Sequence, residues 1–169
     1  MMNARAAALI RKLELAEHPE GGYFKEVFRS EGKISEDKLG KPFEGDRNFV
    51  TSIYFLLTSE KFSAFHRINQ DETWHFYDGS PIEIHMIDEA GTKTSVVLGM
   101  DVDNQILPQF TVPARVWFAA NVVEEDSYSL VGCTVAPGFD FRDFELAKRL
   151  SMVEAFPRHE ALILRYTRL

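Results

Sequence analysis

Ser63-Ala64-Phe65-His66-Arg67-Ile68-Asn69-Gln70-Asp71-Glu72-Thr73-Trp74-His75-Phe76-Tyr77-Asp78-Gly79 sets two imidazoles and a carboxylate among the aromatic residues of strands and pocket walls. Period two puts Glu72, Trp74 and Phe76 on one face of a strand and His75 on the other. Inside a barrel that carboxylate loses water, which raises its pKa as an acid requires. The structural alternative is an ion pair of Glu72 with Arg29, Arg47 or Arg67.

Working upstream, Lys61 to Arg67 and Asn48 to Leu57 read as strands around a turn at Thr58-Ser59. In the second, Ser52 and Tyr54 share a face opposite Ile53 and Phe55. Either face can be the interior one, and Ser52 and Tyr54 are taken as ligand-facing candidates with Trp74, His75 and Trp117. Downstream of the turn Asp78-Gly79-Ser80-Pro81, the apolar Ile82, Ile84 and Met86 alternate with Glu83 and His85, which sends His85 to solvent. Lys93 to Leu98, Gln109 to Val112, Arg115 to Ala119 and Tyr128 to Val135 add short strands, with Pro108 and Pro113 at strand ends. Such spacing belongs to an all-β sandwich or barrel.

Both ends are helical. Ala6, Leu9, Ile10 and Leu13 form an amphipathic stripe ending near Leu15, suited to covering a sheet face. His18-Pro19-Glu20-Gly21-Gly22-Tyr23-Phe24 then turns the chain into a strand from Tyr23 to Arg29, with His18 read as a turn residue. On that strand Phe24, Glu26 and Phe28 share one face, and Glu26 reads as an edge carboxylate. Residues 30–46 read as a long surface loop. Phe144 to Phe156 has helical character, Pro157 breaks it, and a last segment, with His159 at its start, runs into Arg165 and Tyr166. The expectation is one domain over 1–169: an N-terminal helix over 1–17, a β-barrel over 18–138 and a C-terminal helical segment over 139–169.

A chain of 169 residues is about one domain. Its net charge of -7, with Lys and Arg scattered, argues against a nucleic-acid partner. Cys133, the single cysteine, lies in an apolar run and reads as a buried, inert thiol. Charged Arg5, Arg11, Lys12 and Glu14 interrupt the N-terminus, and no run reaches membrane-spanning length, so a cytoplasmic protein without a membrane partner is expected.

Glu72 followed by Gly79 after six residues, with His66 upstream, resembles the first motif of the cupin superfamily, H-x-H-x(3 or 4)-E-x(6)-G, and Pro113-Ala114-Arg115-Val116-Trp117-Phe118 resembles the second, P-x-G-x-x-H. The stretches His18 to Phe24 and Leu130-Val131-Gly132-Cys133-Thr134-Val135-Ala136-Pro137-Gly138-Phe139-Asp140-Phe141, with the segments after Asp143, extend the resemblance to a branch of single-domain cupins over almost the whole chain. It implies a double-stranded β-helix, jelly-roll-like barrel, a homodimer and a pocket inside the barrel mouth. Fold does not supply the reaction.

Cupin metal sites draw two histidines and a glutamate from the first motif and a histidine from the second. Here His66 and Glu72 match, Ala64 and Phe118 stand at the other two places, Arg115 replaces the glycine, and His66 lies one residue further from Glu72 than the pattern has it. No cofactor is therefore assigned; the alternative is a divalent metal on His66 and Glu72 and a metal-dependent oxygenase. The leading expectation is a small polar ligand, carbohydrates being one such class, isomerised or epimerised with His66 as base and Glu72 assisting. The rival is a binding module without catalysis. Trp117 is expected at the pocket, with Phe139, Phe141 and Phe144 left to packing.

Overall fold

The computed structural model describes residues 2–168. Helix α1 (Ala4–Leu13) begins at Asn3, whose side-chain oxygen accepts from the Arg5 and Ala6 amides, and ends with Arg11 and Lys12 at the negative pole of its dipole. Strands β1 (Ala16–Glu17) and β2 (Tyr23–Arg29) follow. The expected loop over 30–46 carries β3 (Lys33–Ile34) and a one-turn helix, α2 (Glu36–Leu39), before β4 (Arg47–Asn48). Elements of two to four residues are too short for periodicity to reveal. The barrel strands are β5 (Thr51–Thr58), β6 (Phe62–Arg67), β7 (Asp71–Gly79), β8 (Ile82–Ile87), β9 (Lys93–Leu98), β10 (Gln109–Val112), β11 (Trp117–Val122) and β12 (Tyr128–Ala136). After them come β13 (Glu145–Leu146), α3 (Arg149–Ala155) and α4 (Glu160–Arg165).

One sheet runs β1-β2-β5-β12-β7-β10 and the other β13-β6-β11-β8-β9, with β3-β4 as a separate ribbon. From β5 to β8, and again from β9 to β12, the chain changes sheet at every turn. That winding is the expected double-stranded β-helix. Between the sheets pack Phe55, Trp74, Ile84, Phe118 and Val131. On the outside of the larger sheet, α1 seats Ala6 and Leu9 on Leu56 and Leu130. On the outside of the smaller one, the C-terminal helices bring Met152, Ile163 and Tyr166 onto Phe65, Ile87 and Ala119.

That second cover corrects the reading of His85. It lies on the outer face of β8 as alternation requires, yet it is only 6% exposed. Its Nε2 meets Asn121 Oδ1 at 2.8 Å, and its ring stacks on Tyr166 at 4.8 Å. The helix expected from Phe144 begins only at Arg149, because Glu145 and Leu146 pair with Arg67 and His66 as a sheet edge and Arg67 holds Glu145 at 2.7 Å. Among the described residues no helix is long and apolar enough to cross a membrane.

Candidate active site: a buried acid and imidazole pocket

Between the sheets lies a cavity of about 300 Å³ whose lining passes from exposed to buried with depth. Glu26, Arg29 and Phe141, the last 54% exposed, form the rim, while Glu20, His66, Glu72, Trp74 and Cys133 are buried. The sequence-predicted His66, Glu72 and Trp74 are thus brought together.

His66 owes its surroundings to a β-bulge. In the pairing of β6 with β11, Ser63 stands opposite Ala120 and His66 opposite Phe118, so three steps on β6 match two on β11. The extra residue turns Ser63 and His66, which strict alternation would put on opposite faces, toward one carboxyl group. That group is Glu20. Its Oε1 accepts from Ser63 Oγ at 2.8 Å and its Oε2 lies 3.0 Å from His66 Nε2.

Proton positions follow from the partners. His66 Nδ1 lies 2.7 Å from the Ala64 carbonyl, which can only accept, so Nδ1 carries hydrogen and the neutral ring offers Nε2 as an acceptor. The contact from Nε2 to Glu20 then requires one proton between them. Burial raises the Glu20 pKa and lowers that of His66, and both directions place that proton on Glu20. His18, read as a turn residue, is also in the wall: its Nδ1 accepts from the Glu20 amide at 3.3 Å, and burial lowers its pKa.

Glu20 was missed because a carboxylate in a proline and glycine turn carries no periodic signal. The turn itself is demanding. Gly21 has φ of 118°, and a Cβ there would sit 2.2 Å from the Phe62 carbonyl oxygen. Gly21→Ala is expected to destabilise the fold by about 1–3 kcal/mol and displace Glu20. Urea unfolding reads the first effect, and an unaltered midpoint would show that the turn yields without strain.

Glu72 faces the same floor. Burial pushes its pKa up to about 7, against the opposing effect of nearby His66 and with help from Glu20. The ion pair considered for it with Arg29, Arg47 or Arg67 does not form: these hold Glu26, Asp143 and Glu145 instead. Beside it the Cys133 thiol is buried and its pKa pushed well up by desolvation, as expected of an inert thiol. The buried Trp74 indole N–H is engaged with the Glu72 carboxyl and, with the Cys133 thiol, works against the upward shift of Glu72.

A second bulge shapes the rim. Glu26 pairs with Ile53 and Phe28 with Ser52, leaving Val27 as the extra residue of β2. Phe28, expected beside Phe24 and Glu26, is therefore turned out and exposed, while Arg29 is turned in. Arg29 grips Glu26 with two hydrogen bonds, at 2.9 and 2.7 Å. Phe139, Phe141 and Phe144 line the cavity rather than serving only as packing.

Other candidates lie elsewhere. Thr51, Ile53 and Phe55 are the cavity face of β5, so Ser52 and Tyr54 point outward, where Tyr54 meets the Tyr77 ring at 6.2 Å. His75 is also on the outer face, 3.3 Å from Thr134 Oγ1. Trp117 belongs to the opposite side of its sheet, under the Arg67 guanidinium at 4.3 Å and in a groove with α3. The second-motif position, Phe118, does reach the site, with its ring 4.1 Å from that of His66.

The sequence pattern of the Cupin superfamily (DUF985) matches residues 7–147. The chain belongs to this cupin family. A Saccharomyces cerevisiae protein, YML079W, is 31% identical over 149 residues, covering 83% of this chain and 74% of that protein. Solved structures of a hypothetical protein from Leishmania major (36% identity, TM-score 0.89, 97% of this chain and 99% of that one) and of Shewanella oneidensis protein SO0799 (38%, 0.86, 99% and 99%) are similar throughout. Bacillus subtilis oxalate decarboxylase shares the fold alone: 12% identity and a TM-score of 0.55, over 89% of this chain and 36% of that one.

The metal site that the cupin motifs imply does not fit these residues. Ala64 and Phe118 offer no donor atom, His66 Nδ1 is directed at a carbonyl, and Nε2 faces Glu20. Among the described residues no three His, Cys, Asp or Glu side chains are placed to hold a metal ion.

Proposed function

We propose that this cupin binds a small polar molecule in its barrel and moves a proton on it, as an isomerase or epimerase does. The His66 and Glu20 pair is one acid–base group and Glu72 the other. The observation that carries this reading is their convergence on one buried cavity floor, with the His66–Glu20 contact at 3.0 Å and Glu72 titrating near neutral pH at about 7. Near pH 7 Glu72 is available in both protonation states, so it can take a proton while the shared proton of the pair returns one. The expectations of a cytoplasmic homodimer without a nucleic-acid partner stay part of this proposal.

The test is hydrogen exchange into carbon. Small ketoses, aldoses and amino sugars incubated with the protein in D2O are expected to gain deuterium next to a carbonyl, read by NMR. His66→Ala and Glu72→Gln are each expected to lower that rate about 100-fold or more. Unchanged exchange in both variants would remove these residues from the chemistry. A binding module is the second reading, favoured by the engagement of both His66 ring nitrogens. A ligand that binds and is recovered without deuterium would support it.

A further inference from the structure

The cavity's charges are unevenly spent. Arg29 is the one cationic side chain among the described residues that lines it, and Glu26 takes up that charge through two hydrogen bonds. Asp140, also in the lining, is matched by Arg142 outside it, through two hydrogen bonds at 2.9 and 2.7 Å. Arg168 approaches Glu20 from beyond the wall and donates to its backbone oxygen at 2.9 Å. Glu72 and Glu20 are left on the floor with imidazoles whose pKa values burial lowers, and among the described residues the one cationic side chain of the lining, Arg29, is already held by Glu26.

The walls point the same way. Phe24, Phe55, Trp74, Phe139, Phe141 and Phe144 surround these carboxyl groups with aromatic rings, whose faces attract cations, most strongly where water is excluded. Trp74 is one of these rings, 1% exposed in the cavity wall, and its indole N–H is engaged with the Glu72 carboxyl.

We propose that the pocket takes an organic cation: a protonated amine on a small ring-shaped body, with Glu72 as the principal counter-charge. This deepens the function proposed above and rests on it for the place of the site. An amino sugar or an aromatic amine has this chemistry; a carboxylate or phosphate does not.

Three probes of matched shape test it: benzylamine, benzyl alcohol and benzoate, titrated by calorimetry at pH 8, where Glu72 is ionised. Benzylamine is expected to bind about tenfold or more tightly than benzyl alcohol, the gain of a charge-assisted hydrogen bond, and benzoate more weakly than either. In Glu72→Gln the amine and the alcohol should come within about threefold of each other, with the alcohol's affinity kept. Equal binding of amine and alcohol in the wild type, benzoate at least as tight as the alcohol, or saturation by none of the three would overturn the proposal. If Glu72→Gln does not fold, the wild type at pH 5.5 decides: the amine's advantage should shrink severalfold, and a constant advantage would count against Glu72. Amine preference without deuterium exchange would strike the proton-transfer reading alone. Exchange without amine preference would strike the ligand class alone.

Discussion

Glu72→Gln is expected to become progressively more stable relative to the wild type as pH rises from about 4.5 to about 7, gaining about 3 kcal/mol across that window. The sign follows from which state holds the proton more tightly. In the unfolded chain the Glu72 carboxyl ionises near the ordinary 4.5, whereas in the fold burial keeps it protonated to about 7. Below both values the two states bind the proton equally and nothing is lost. Between them only the folded state retains it, so stability falls as pH rises, until the folded carboxyl also ionises. Glutamine does not titrate and is free of that loss. His66, Glu20, Cys133 and Trp74, which surround Glu72, remain in the variant, so the difference between the two proteins isolates this group. Urea unfolding at pH 5 and pH 8 measures it. Parallel stabilities at both pH values would mean that Glu72 is hydrated or paired, and would remove it as a near-neutral acid.

The same burial explains what the sequence could and could not convey. The barrel was legible because most of its strands obey period two: β9 and β10 begin and end where alternation and flanking prolines put them, and Glu72, Trp74 and Phe76 do share the inner face. The site was legible only as far as that rule holds. His66 and Ser63 meet Glu20 through one bulge, and Arg29 meets Glu26 through another. A bulge adds one residue to one strand and reverses the facing of everything beyond it, and no residue type at these positions announces it. Trp117 fails as a pocket residue for a different reason. Amphipathic strands leave two apolar faces when helices cover the outside, and here the C-terminal segment covers the side on which Trp117 and His85 lie. Sequence alternation identifies the two faces but not which one surrounds a cavity. Glu20 and His18 lay outside the pattern altogether, in a turn whose chemistry shows only once the strands beside it are placed.

Arg47→Met is expected to destabilise the protein by about 3–5 kcal/mol, the range for leaving one partner of a buried ion pair alone. Arg47 and Asp143 are almost wholly buried and joined by two hydrogen bonds, at 2.7 and 2.8 Å. Burial alone would raise the Asp143 pKa, but hydrogen bonds from Arg47, Gln70 and Asn69 outweigh it and hold that pKa below the ordinary carboxylate range. Its stabilisation is therefore present above the ordinary value of 3.8 and lost as pH falls through the lower folded value, opposite in sign to that of Glu72. At a change of about 2–4 °C per kcal/mol for a chain of this size, the thermal midpoint should fall by roughly 10 °C. The double variant Arg47→Met with Asp143→Leu should recover part of the loss, because neither charge is then stranded. Recovery cannot be complete, since Arg47 also caps the carbonyls of Glu44, Gly45 and Asp46, and Asp143 receives Gln70 and Asn69. The position of the pair matters more than its energy. Through it the segment carrying Phe139, Phe141 and Phe144 is fixed to β4, where Gly138 N also donates to Asn48 O at 2.7 Å, and beside it Phe139 N donates to Thr51 Oγ1 at the start of β5 at 2.9 Å. In Arg47→Met these two amides should exchange with solvent sooner than those of the β5 and β12 ladder. If they exchange no faster than in the wild type, the ion pair holds the core together without holding the aromatic rim over the pocket.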